Sequence, residues 1–311
     1  MSALQIGLML PSIPHHADGR LEKARIISAA QLAEKGGFDS VYIGDHLLHP
    51  NPLMEALVTL SMVAAVTERV TIGTCVMLIA LRDPLWLAKQ LGTLDHFAPG
   101  RLRIGIGVGG AYPGEFDIVD VPLAQRGRKA EAVLRQVRTI FGGNLPAFDD
   151  GGVAIQFQPV PAQPMPFLFG GRGDAPLRRA ARLGDGWIGY LLSPAAFAER
   201  RAFLLDQRGD NVAPFSCGML FHVQPDDRLT GAHQRALDGW RRVTNQMSRP
   251  FPNPEELFIA GPPDAIVEQL RRFWDAGCTE MVLVPADQGA AYPEQARIIA
   301  KDVLPKIRGW T

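Results

Sequence analysis

The stretch VTIGTCVMLIALRDPLWLAKQLGTLDHFAPGRLRIGIGV, residues 70–108, contains one complete strand–helix–strand unit. Residues 70–77 are rich in β-branched side chains and predict a strand. The Asp-Pro pair at 83–84 is typical of a helix N-cap followed by the first helical residue. That helix is predicted to end before the Pro-Gly pair at 99–100, and residues 102–108 predict the next strand. Two strands joined by a helix are expected to lie parallel in one sheet.

The alternation of apolar runs and amphipathic stretches continues along the chain. Apolar runs that predict strands begin near residues 4, 40, 70, 102, 167, 187, 215 and 280. Predicted helices lie over 21–34, 54–67, 84–97, 125–141, 174–183, 194–207, 231–246 and 265–276, with one more after the last strand. Eight such repeats are typical of an eight-stranded parallel (β/α)8 TIM barrel, and a large open sheet is the alternative. The strand count favours the barrel, as a single α/β domain over residues 1–311.

One segment interrupts this alternation. Residues 143–165 are rich in proline and glycine, and they contain the turn sequence Asp-Asp-Gly-Gly at 149–152. We interpret residues 143–165 as an insertion within the barrel domain that forms a hairpin around that turn.

The composition disfavours several function classes. Lys+Arg and Asp+Glu both number 32 in 311 residues, so the net charge is zero and binding to nucleic acid or to an anionic membrane is not expected. The start of the chain lacks the basic region and cleavage site of a signal peptide, and no apolar run is long enough to span a bilayer. Three separated cysteines support neither a disulfide framework nor a zinc pair, which fits a cytoplasmic protein.

No metal site or hydrolase motif is predicted. The adjacent His15 and His16 do not have metal-ligand spacing, and the other histidines and the cysteines are scattered along the sequence. Asp95 and His96 lie at a predicted helix end and are expected to be structural. The sequence has no Gly-x-Ser-x-Gly elbow, so a hydrolase of that type has little support.

Asp45 and His46 directly follow the second predicted strand. The carboxyl ends of barrel strands carry the catalytic groups of TIM-barrel enzymes, and a histidine can exchange protons near neutral pH. We therefore expect His46 and Asp45 to be catalytic. The alternative is that Asp45 caps a turn and His46 is a surface histidine.

Two glycine-rich segments follow later strands at the same end of the barrel. Gly105, Gly107 and Gly110 have the spacing of a dinucleotide fingerprint, but a loop follows them instead of a helix, which disfavours a nicotinamide site. The glycines here, Gly107 and Gly109 among them, are expected to let a flat ligand approach the strand end. Residues 170–174, with the sequence GGRGD, join a strand to a helix and predict a phosphate-binding loop.

The phosphate prediction depends on backbone N–H groups at a helix start and on Arg172. Arg178, Arg179 and Arg182 lie on the following helix, where they either add positive charge or form its solvated face. The alternative for the loop is a plain turn with Asp174 as the N-cap.

Several of these segments together resemble the luciferase-like monooxygenases, which include bacterial luciferase and the deazaflavin-dependent oxidoreductases. They are GFDSVYIGDHLL (37–48), TERVTIGTCVML (67–78), RDPLWLAKQLGTLDHFAPGRLRIGIGVG (82–109) and GGRGDAPLRRAARLGDGW (170–187). The segment PPDAIVEQLRRFWDAGCTEMVL (262–283) is similar to the family's closing helix and strand. The resemblance implies a barrel that binds FMN or the deazaflavin coenzyme F420.

The resemblance also implies roles for single residues. His46 corresponds to the family's active-site histidine beside the flavin ring, and Asp45 to the acidic residue before it. The end of strand three corresponds to the place where the family has a non-prolyl cis peptide bond behind the ring, which here is the bond Cys75–Val76. The predicted cofactor-binding residues are Thr74, Cys75, Val76, Gly107, Gly109, Gly170, Gly171, Arg172 and Gly173, the last four in the phosphate loop.

The sequence departs from the family pattern at two places. Gly107 and Val108 stand where luciferase has its reactive cysteine and a neighbouring arginine, so light emission is not expected. The sugar-phosphate dehydrogenases of the family carry a glutamate near Tyr112, and this chain has none there. Glu115 is close in sequence but shifted, so a sugar phosphate is not the expected substrate.

The predicted activity is that of an FMN- or F420-dependent oxidoreductase that transfers hydride or oxygen to a small organic substrate. A separate flavin or deazaflavin reductase is a candidate partner. Two other readings are open: a cofactor-free barrel lyase or isomerase that uses Asp45 and His46, and a non-catalytic flavin-binding protein.

A homodimer is predicted from the helix at 54–67, whose sequence MEALVTLSMVAAVT is apolar on almost every face. A barrel helix packs one face on the strands, so its other apolar face is expected to need a cover from a second copy. Family members commonly pair through this region. The alternative is that residues 109–123 or 143–165 of the same chain cover the helix.

Overall fold

The computed structural model describes residues 3–12, 22–144, 148–150, 153–244 and 253–310. The strands are β1 (Gln5–Met9), β2 (Ser40–Ile43), β3 (Thr71–Met77), β4 (Leu102–Ile106), β5 (Phe148–Asp150), β6 (Val153–Ile155), β7 (Phe167–Gly170), β8 (Gly186–Tyr190), β9 (Ser216–Pro225), β10 (Ile259–Gly261) and β11 (Glu280–Pro285). The α-helices are α1 (Lys23–Lys35), α2 (Ala56–Ala64), α3 (Pro84–Phe97), α4 (Gly114–Asp117), α5 (Arg126–Phe141), α6 (Asp174–Leu183), α7 (Pro194–Arg208), α8 (Ala232–Thr244), α9 (Pro254–Leu257), α10 (Pro263–Asp275), α11 (Tyr292–Ile298) and α12 (Leu304–Ile307).

Eight strands close into a ring in the order β1, β2, β3, β4, β7, β8, β9 and β11. All pairings around this ring are parallel, and β11 returns to pair with β1. The predicted eight-stranded TIM barrel is therefore confirmed, and the open-sheet alternative is wrong because β8 also pairs with β9. Helical crossovers between parallel strands place every carboxyl end on one face of the ring.

The helix α3 begins where the Asp-Pro pair predicts it. The Asp83 carboxylate accepts hydrogen bonds from the backbone N–H groups of Leu85 and Trp86, at 2.9 and 3.0 Å, and Pro84 occupies the first helical position. The side-chain acceptor satisfies two backbone donors that the helix leaves unpaired, and Pro84 has no N–H that would need a partner. This local chemistry fixes the crossover between β3 and β4.

The chain departs from the eightfold alternation at three places. The strands β5 and β6 pair antiparallel, as the predicted hairpin requires, while its turn residues 151–152 lie outside the described residues. The short strand β10 was not predicted, and it pairs with the end of β9 beyond the ring. The segment 109–123, predicted as a loop, contains the helix α4.

Apolar side chains pack on both sides of the barrel wall. Those that face outward, such as Ile6, Leu8 and Ile104, join the helices in one continuous core. A smaller apolar cluster, which includes Leu168 and Val282, fills the inside of the ring. This is the usual division of a small barrel, in which alternate strand positions face inward.

A polar cluster occupies the amino-terminal end of the barrel. The Glu280 carboxylate, which is 1% exposed, accepts hydrogen bonds from Arg103 at 2.7 and 3.1 Å and from the Tyr42 hydroxyl at 2.6 Å. Arg103 also donates to the Ser216 hydroxyl at 2.7 Å. Burial, together with the neighbouring carboxylate, raises the pKa of Tyr42 well above its usual range. Because these groups bond one another, the cluster holds strands together.

The structure corrects the argument that supported a homodimer. Five apolar residues of α2 are buried within the one chain: Ala56, Leu57, Leu60, Val63 and Ala64. Both α1 and α3 flank α2, so the helix is covered on its sides as well as on its strand-facing side. The burial of these five residues therefore does not require the segment 109–123 or the segment 143–165. Val58, at 70% exposure, is the large apolar side chain that α2 leaves in solvent.

Within the described residues, no helix combines the length and the apolar composition needed to cross a membrane. The same residues contain no group of three or more His, Cys, Asp or Glu side chains placed to hold a metal ion. The pair at 15–16 lies outside the described residues.

Candidate active site

A cavity of about 450 Å³ opens at the carboxyl ends of the barrel strands. The polar side chains in its lining are Ser12, Asp45, His46, His49, Cys75, Tyr190, His222 and Gln288. A larger open groove of about 1260 Å³ lies at the opposite end, around Pro164 and Phe215. Catalytic groups of TIM barrels lie at the carboxyl ends of the strands, so the smaller cavity is the candidate active site.

His46 is held in this cavity by Glu115. The Nδ1 atom of His46 lies 2.9 and 3.1 Å from the two carboxylate oxygens of Glu115, which is fully buried on α4. Glu115 also accepts from the backbone N–H groups of Leu47 and Leu48, at 2.7 and 3.3 Å. A carboxylate accepts hydrogen bonds, so Nδ1 carries the proton and Nε2 is the basic nitrogen of the neutral ring.

The His46 ring also has aromatic neighbours that fix its orientation. Its centroid lies 5.1 Å from that of Tyr112, edge to face, and 5.5 Å from that of His49. Burial lowers the pKa of His49. The side chain of His46 keeps about a quarter of its surface exposed. Among the described residues, Nε2 of His46 has no hydrogen-bond partner.

Asp45 lines the same cavity but is bound by other protein groups. Its carboxylate accepts from the Arg82 guanidinium at 2.7 Å and from the backbone N–H of Leu78 at 3.0 Å. Arg82 also binds Glu55 at 2.9 Å. Burial alone would lower the pKa of Arg82, but its carboxylate partners Asp45 and Glu55 outweigh burial and raise the pKa above its usual value. These contacts fix the segment after β3, so they favour a positioning role for Asp45.

The strand β3 has a bulge where the resemblance implied a non-prolyl cis peptide bond. Its pairing with β4 shifts register between Thr74 and Met77, and the Cys75–Val76 peptide bond is cis. The Thr74 hydroxyl donates to the carbonyl of Gly105 at 2.9 Å, which ties the bulge to β4. Burial raises the pKa of the Cys75 thiol far above its usual range, so Cys75 is not a thiolate nucleophile.

The glycines around the bulge give room to the protein's own Val76. A Cβ atom placed on Gly107 would lie 2.3 Å from Val76 Cγ2, and one on Gly170 would lie 2.8 Å from Val76 Cγ1. Gly109 has φ +59°, and a Cβ there would meet the Phe116 ring at 2.9 Å. These three glycines also line the cavity. The expectation that they serve only a ligand's approach was therefore incomplete.

The predicted phosphate loop precedes α6, whose N-cap is Gly173 and lacks a side-chain cap. The Asp174 N-cap alternative is wrong, since Asp174 is already helical. The indole N–H of Trp187 donates to the Gly171 carbonyl at 2.7 Å and fixes the loop. Arg172 is exposed and donates to the carbonyl of Leu191 at 3.2 Å. The uncapped N–H groups of α6 are a suitable anion site.

Of the three arginines on α6, Arg178 and Arg182 are exposed, whereas Arg179 is 19% exposed. Arg178 pairs with Asp174 at 3.7 Å, and both Arg179 and Arg182 bind Glu131 on α5. Arg179 and Arg182 share the one carboxylate of Glu131, and none of the three arginines is among the described lining residues of the cavity. Within the loop itself, residues 170–174, Arg172 is the one cationic side chain.

Residues 5–280 match the family model described as "Luciferase-like monooxygenase". The chain belongs to the luciferase-like monooxygenase family. An F420-dependent glucose-6-phosphate dehydrogenase of Microbacterium testaceum is 26% identical to it, over 89% of this chain and 91% of that protein.

Solved structures of two enzymes share the fold of this family member. An F420-dependent secondary alcohol dehydrogenase, solved with an F420–acetone adduct, superposes with a TM-score of 0.80 at 18% identity, over 98% of this chain and 99% of that one. The oxygenating constituent of 3,6-diketocamphane monooxygenase from Pseudomonas putida, solved with FMN, gives 0.74 at 17% identity, over 98% and 99%. At these identities the likeness concerns the fold.

Sequence reasoning missed a second polar group of this luciferase-like barrel, at the ends of β8 and β9. The Tyr190 hydroxyl lies 3.4 Å from His222 Nε2, and the Trp240 indole donates to the same hydroxyl at 2.5 Å. His222 is 8% exposed, and burial lowers its pKa to about 3. It is therefore a neutral hydrogen-bonding group at physiological pH.

The signals for the missed residues differ. His222 lies near the carboxyl end of a predicted strand, so the rule that selected His46 would also have selected it. Glu115 lies 69 positions from His46, on a helix inside a predicted loop, and no local pattern brings the two together. Asp95, expected to be structural, accepts from the Gly100 backbone N–H at 3.3 Å.

Proposed function

We propose that this family member is an F420-dependent oxidoreductase that transfers hydride between the deazaflavin and a small organic substrate, with FMN as the alternative cofactor. The observation that carries the proposal is the His46–Glu115 pair in the wall of the cavity. A histidine whose Nδ1 is fixed by a carboxylate is suited to accept a proton at Nε2 and to return it.

The residues at the cavity fit a planar, phosphorylated cofactor. Val76, on the β3 bulge, offers an apolar surface for a flat ring. The glycines beside it have no side chains that would fill the cavity. The uncapped start of α6 and Arg172 would hold a phosphate. Bound F420 would supply a ring carbon that accepts hydride. FMN, if it binds instead, would also supply oxygen activation.

His46 would manage the proton that accompanies hydride transfer. Its Nε2 accepts the proton of a substrate hydroxyl or donates one to a carbonyl oxygen, depending on the direction of the reaction. Glu115 keeps the ring in the tautomer that leaves Nε2 basic, and its charge stabilises the imidazolium once formed. Asp45 and Arg82 would hold the segment after β3, which lies beside the site proposed for the cofactor ring.

The relatives support F420 more than FMN. The relative matched over nine-tenths of its length is named as F420-dependent, and so is the alcohol dehydrogenase with the higher of the two TM-scores. The FMN-bound monooxygenase keeps FMN as the second candidate. A reductase partner is proposed only for the FMN form, which would need reduced flavin.

Titration of the purified protein with F420 and with FMN tests the proposal. We expect F420 to change its absorbance and fluorescence on binding, and Arg172→Ala to weaken this binding roughly tenfold. Arg178→Ala is the matched control, because Arg178 is an exposed arginine of α6 that pairs with Asp174. Binding of FMN alone would move the proposal to the flavin branch, and binding of neither would favour the cofactor-free lyase or isomerase.

A homodimer remains a proposal, now carried by the exposed apolar residues of α2 and of the segments beside it. Large apolar side chains are exposed on α2, at the start of α3 and after β2: Leu47 at 52%, Val58 at 70%, Leu85 at 50% and Trp86 at 69%. Exposed apolar patches commonly mark interfaces. Sedimentation at micromolar concentration should give a dimer, and Trp86→Lys should weaken it. A monomeric wild type would contradict this.

A further inference from the structure

The described lining of the active-site cavity contains no lysine and no arginine. One guanidinium next to it, that of Arg82, is bound by Asp45 and Glu55 at 2.7 and 2.9 Å. If His46 is protonated, the buried Glu115 carboxylate neutralises it at 2.9 Å. The described part of the cavity wall therefore holds no uncompensated positive charge.

The wall opposite His46 is neutral as well. In the ring of eight strands, β8 lies four positions from β2, so Tyr190 and His46 are at opposite sides of the cavity. Tyr190 and His222 are its polar groups, with the apolar Ile188 and Leu220 beside them. The burial that keeps His222 neutral removes the cation that a histidine could otherwise offer an anion.

We propose that the substrate of this cavity is an uncharged, mainly apolar alcohol or carbonyl compound. Its reacting oxygen would meet His46 Nε2, and its carbon skeleton would lie against the wall formed by Ile188, Tyr190, Leu220 and His222. This inference rests on the proposed function, and it adds the charge class of the substrate.

The cost of burying its charge disfavours an anionic substrate against the described part of the wall. A phosphate or carboxylate that leaves water needs a cation or several donors to replace its hydration, and the described wall supplies no free cation. The cavity thus fits the kind of ligand named for the alcohol dehydrogenase better than the sugar phosphate named for the Microbacterium relative.

Equilibrium binding with matched probes tests the charge class. Cyclohexanone and cyclohexanol are the uncharged probes, and 4-oxocyclohexanecarboxylate and glucose 6-phosphate are the anionic ones. Binding is measured by calorimetry and thermal shift on the F420-loaded and on the cofactor-free protein. We expect cyclohexanone to bind at least about 100-fold more tightly than the carboxylate of the same skeleton. Equal or tighter binding of either anion would overturn the proposal.

A pair of variants places the discrimination in the cavity wall. Leu220→Lys adds a cation on the β9 side and should improve binding of the carboxylate at least tenfold relative to cyclohexanone, whereas Leu220→Gln, polar but uncharged, should not. If Leu220→Lys does not fold, Ala111→Lys and Ala111→Gln at the exposed cavity rim serve the same purpose. No change in preference with a folded lysine variant would show that the probes bind elsewhere.

The outcomes separate this inference from the proposed function. Failure to bind F420 or FMN would end the proposed function, while the probe preference of the cofactor-free protein would still be measured. Normal cofactor binding combined with a preference for anions would end the inference alone.

Discussion

Two buried glutamates lie at opposite ends of the same barrel and do different things. Glu280, at the amino-terminal end, accepts from Arg103 and Tyr42, and Arg103 stays charged at any ordinary pH. Glu115, at the carboxyl-terminal end, accepts from His46, whose ring can gain and lose a proton and keeps about a quarter of its surface exposed. Under the proposed function, a buried carboxylate assists catalysis where its partner can change its protonation state within reach of a ligand.

The largest expected effect comes from removing the titratable partner at the carboxyl-terminal end. His46→Ala should lower kcat with F420 and an uncharged alcohol by about 10²–10⁴-fold, the usual loss of a general acid or base. Cofactor affinity, measured by fluorescence titration, should change much less. Turnover close to that of the wild type would show that His46 only packs in the wall.

The corresponding change at the amino-terminal end should affect stability and leave catalysis intact. Arg103→Met leaves the buried Glu280 carboxylate without its cation, and we expect the free energy of unfolding to fall by about 3 kcal/mol. Urea unfolding followed by circular dichroism measures this. The turnover per folded molecule should match the wild type, and a large loss of turnover would mean that the two ends of the barrel are coupled.

Exchanging each carboxylate for an amide compares the two glutamates directly. Glu115→Gln keeps the shape but removes the charge that stabilises the His46 imidazolium, so kcat should fall by about 10–100-fold. Glu280→Gln is the matched control and should reduce stability without reducing kcat. The comparison fails if both substitutions lower kcat equally.

A smaller effect is expected from His222, which is neutral in the folded protein. Its folded pKa is about 3, against about 6.5 when unfolded, so below pH 6.5 the unfolded chain binds a proton that the folded chain does not. Stability is therefore lost as the pH falls. His222→Gln should remove this loss, which amounts to about 1.5 kcal/mol between pH 6.5 and 5. Unfolding curves of the cofactor-free protein at both pH values measure it, and identical losses in both proteins would contradict the assignment.

The barrel was accessible from the sequence because its signals are local. The helix start at Asp83 and Pro84 depends on adjacent residues, and so does the position of His46 after β2. The contacts that define the site depend on segments far apart in the chain. Glu115 reaches His46 across 69 positions, and Arg82 reaches Asp45 across 37.

The packing of α2 was hard to predict for a similar reason. Its nearly uniform apolar surface suggested a face left over for a second chain, but composition alone does not reveal how far neighbouring helices wrap around it. In the fold, α1 and α3 leave Val58 as its large exposed apolar side chain. His222 differs, because its position at a strand end was a usable signal.

The pairing of β1 with β11 has a consequence for how the protein is made. Gln5 lies opposite Glu280, so one edge of β1 stays open until β11 has been synthesised. The same residue, Glu280, brings the carboxylate that neutralises Arg103. On the ribosome, the nascent barrel therefore carries an open strand edge and an unpaired internal cation until its last strand emerges, and such unpaired edges are where partly folded chains aggregate.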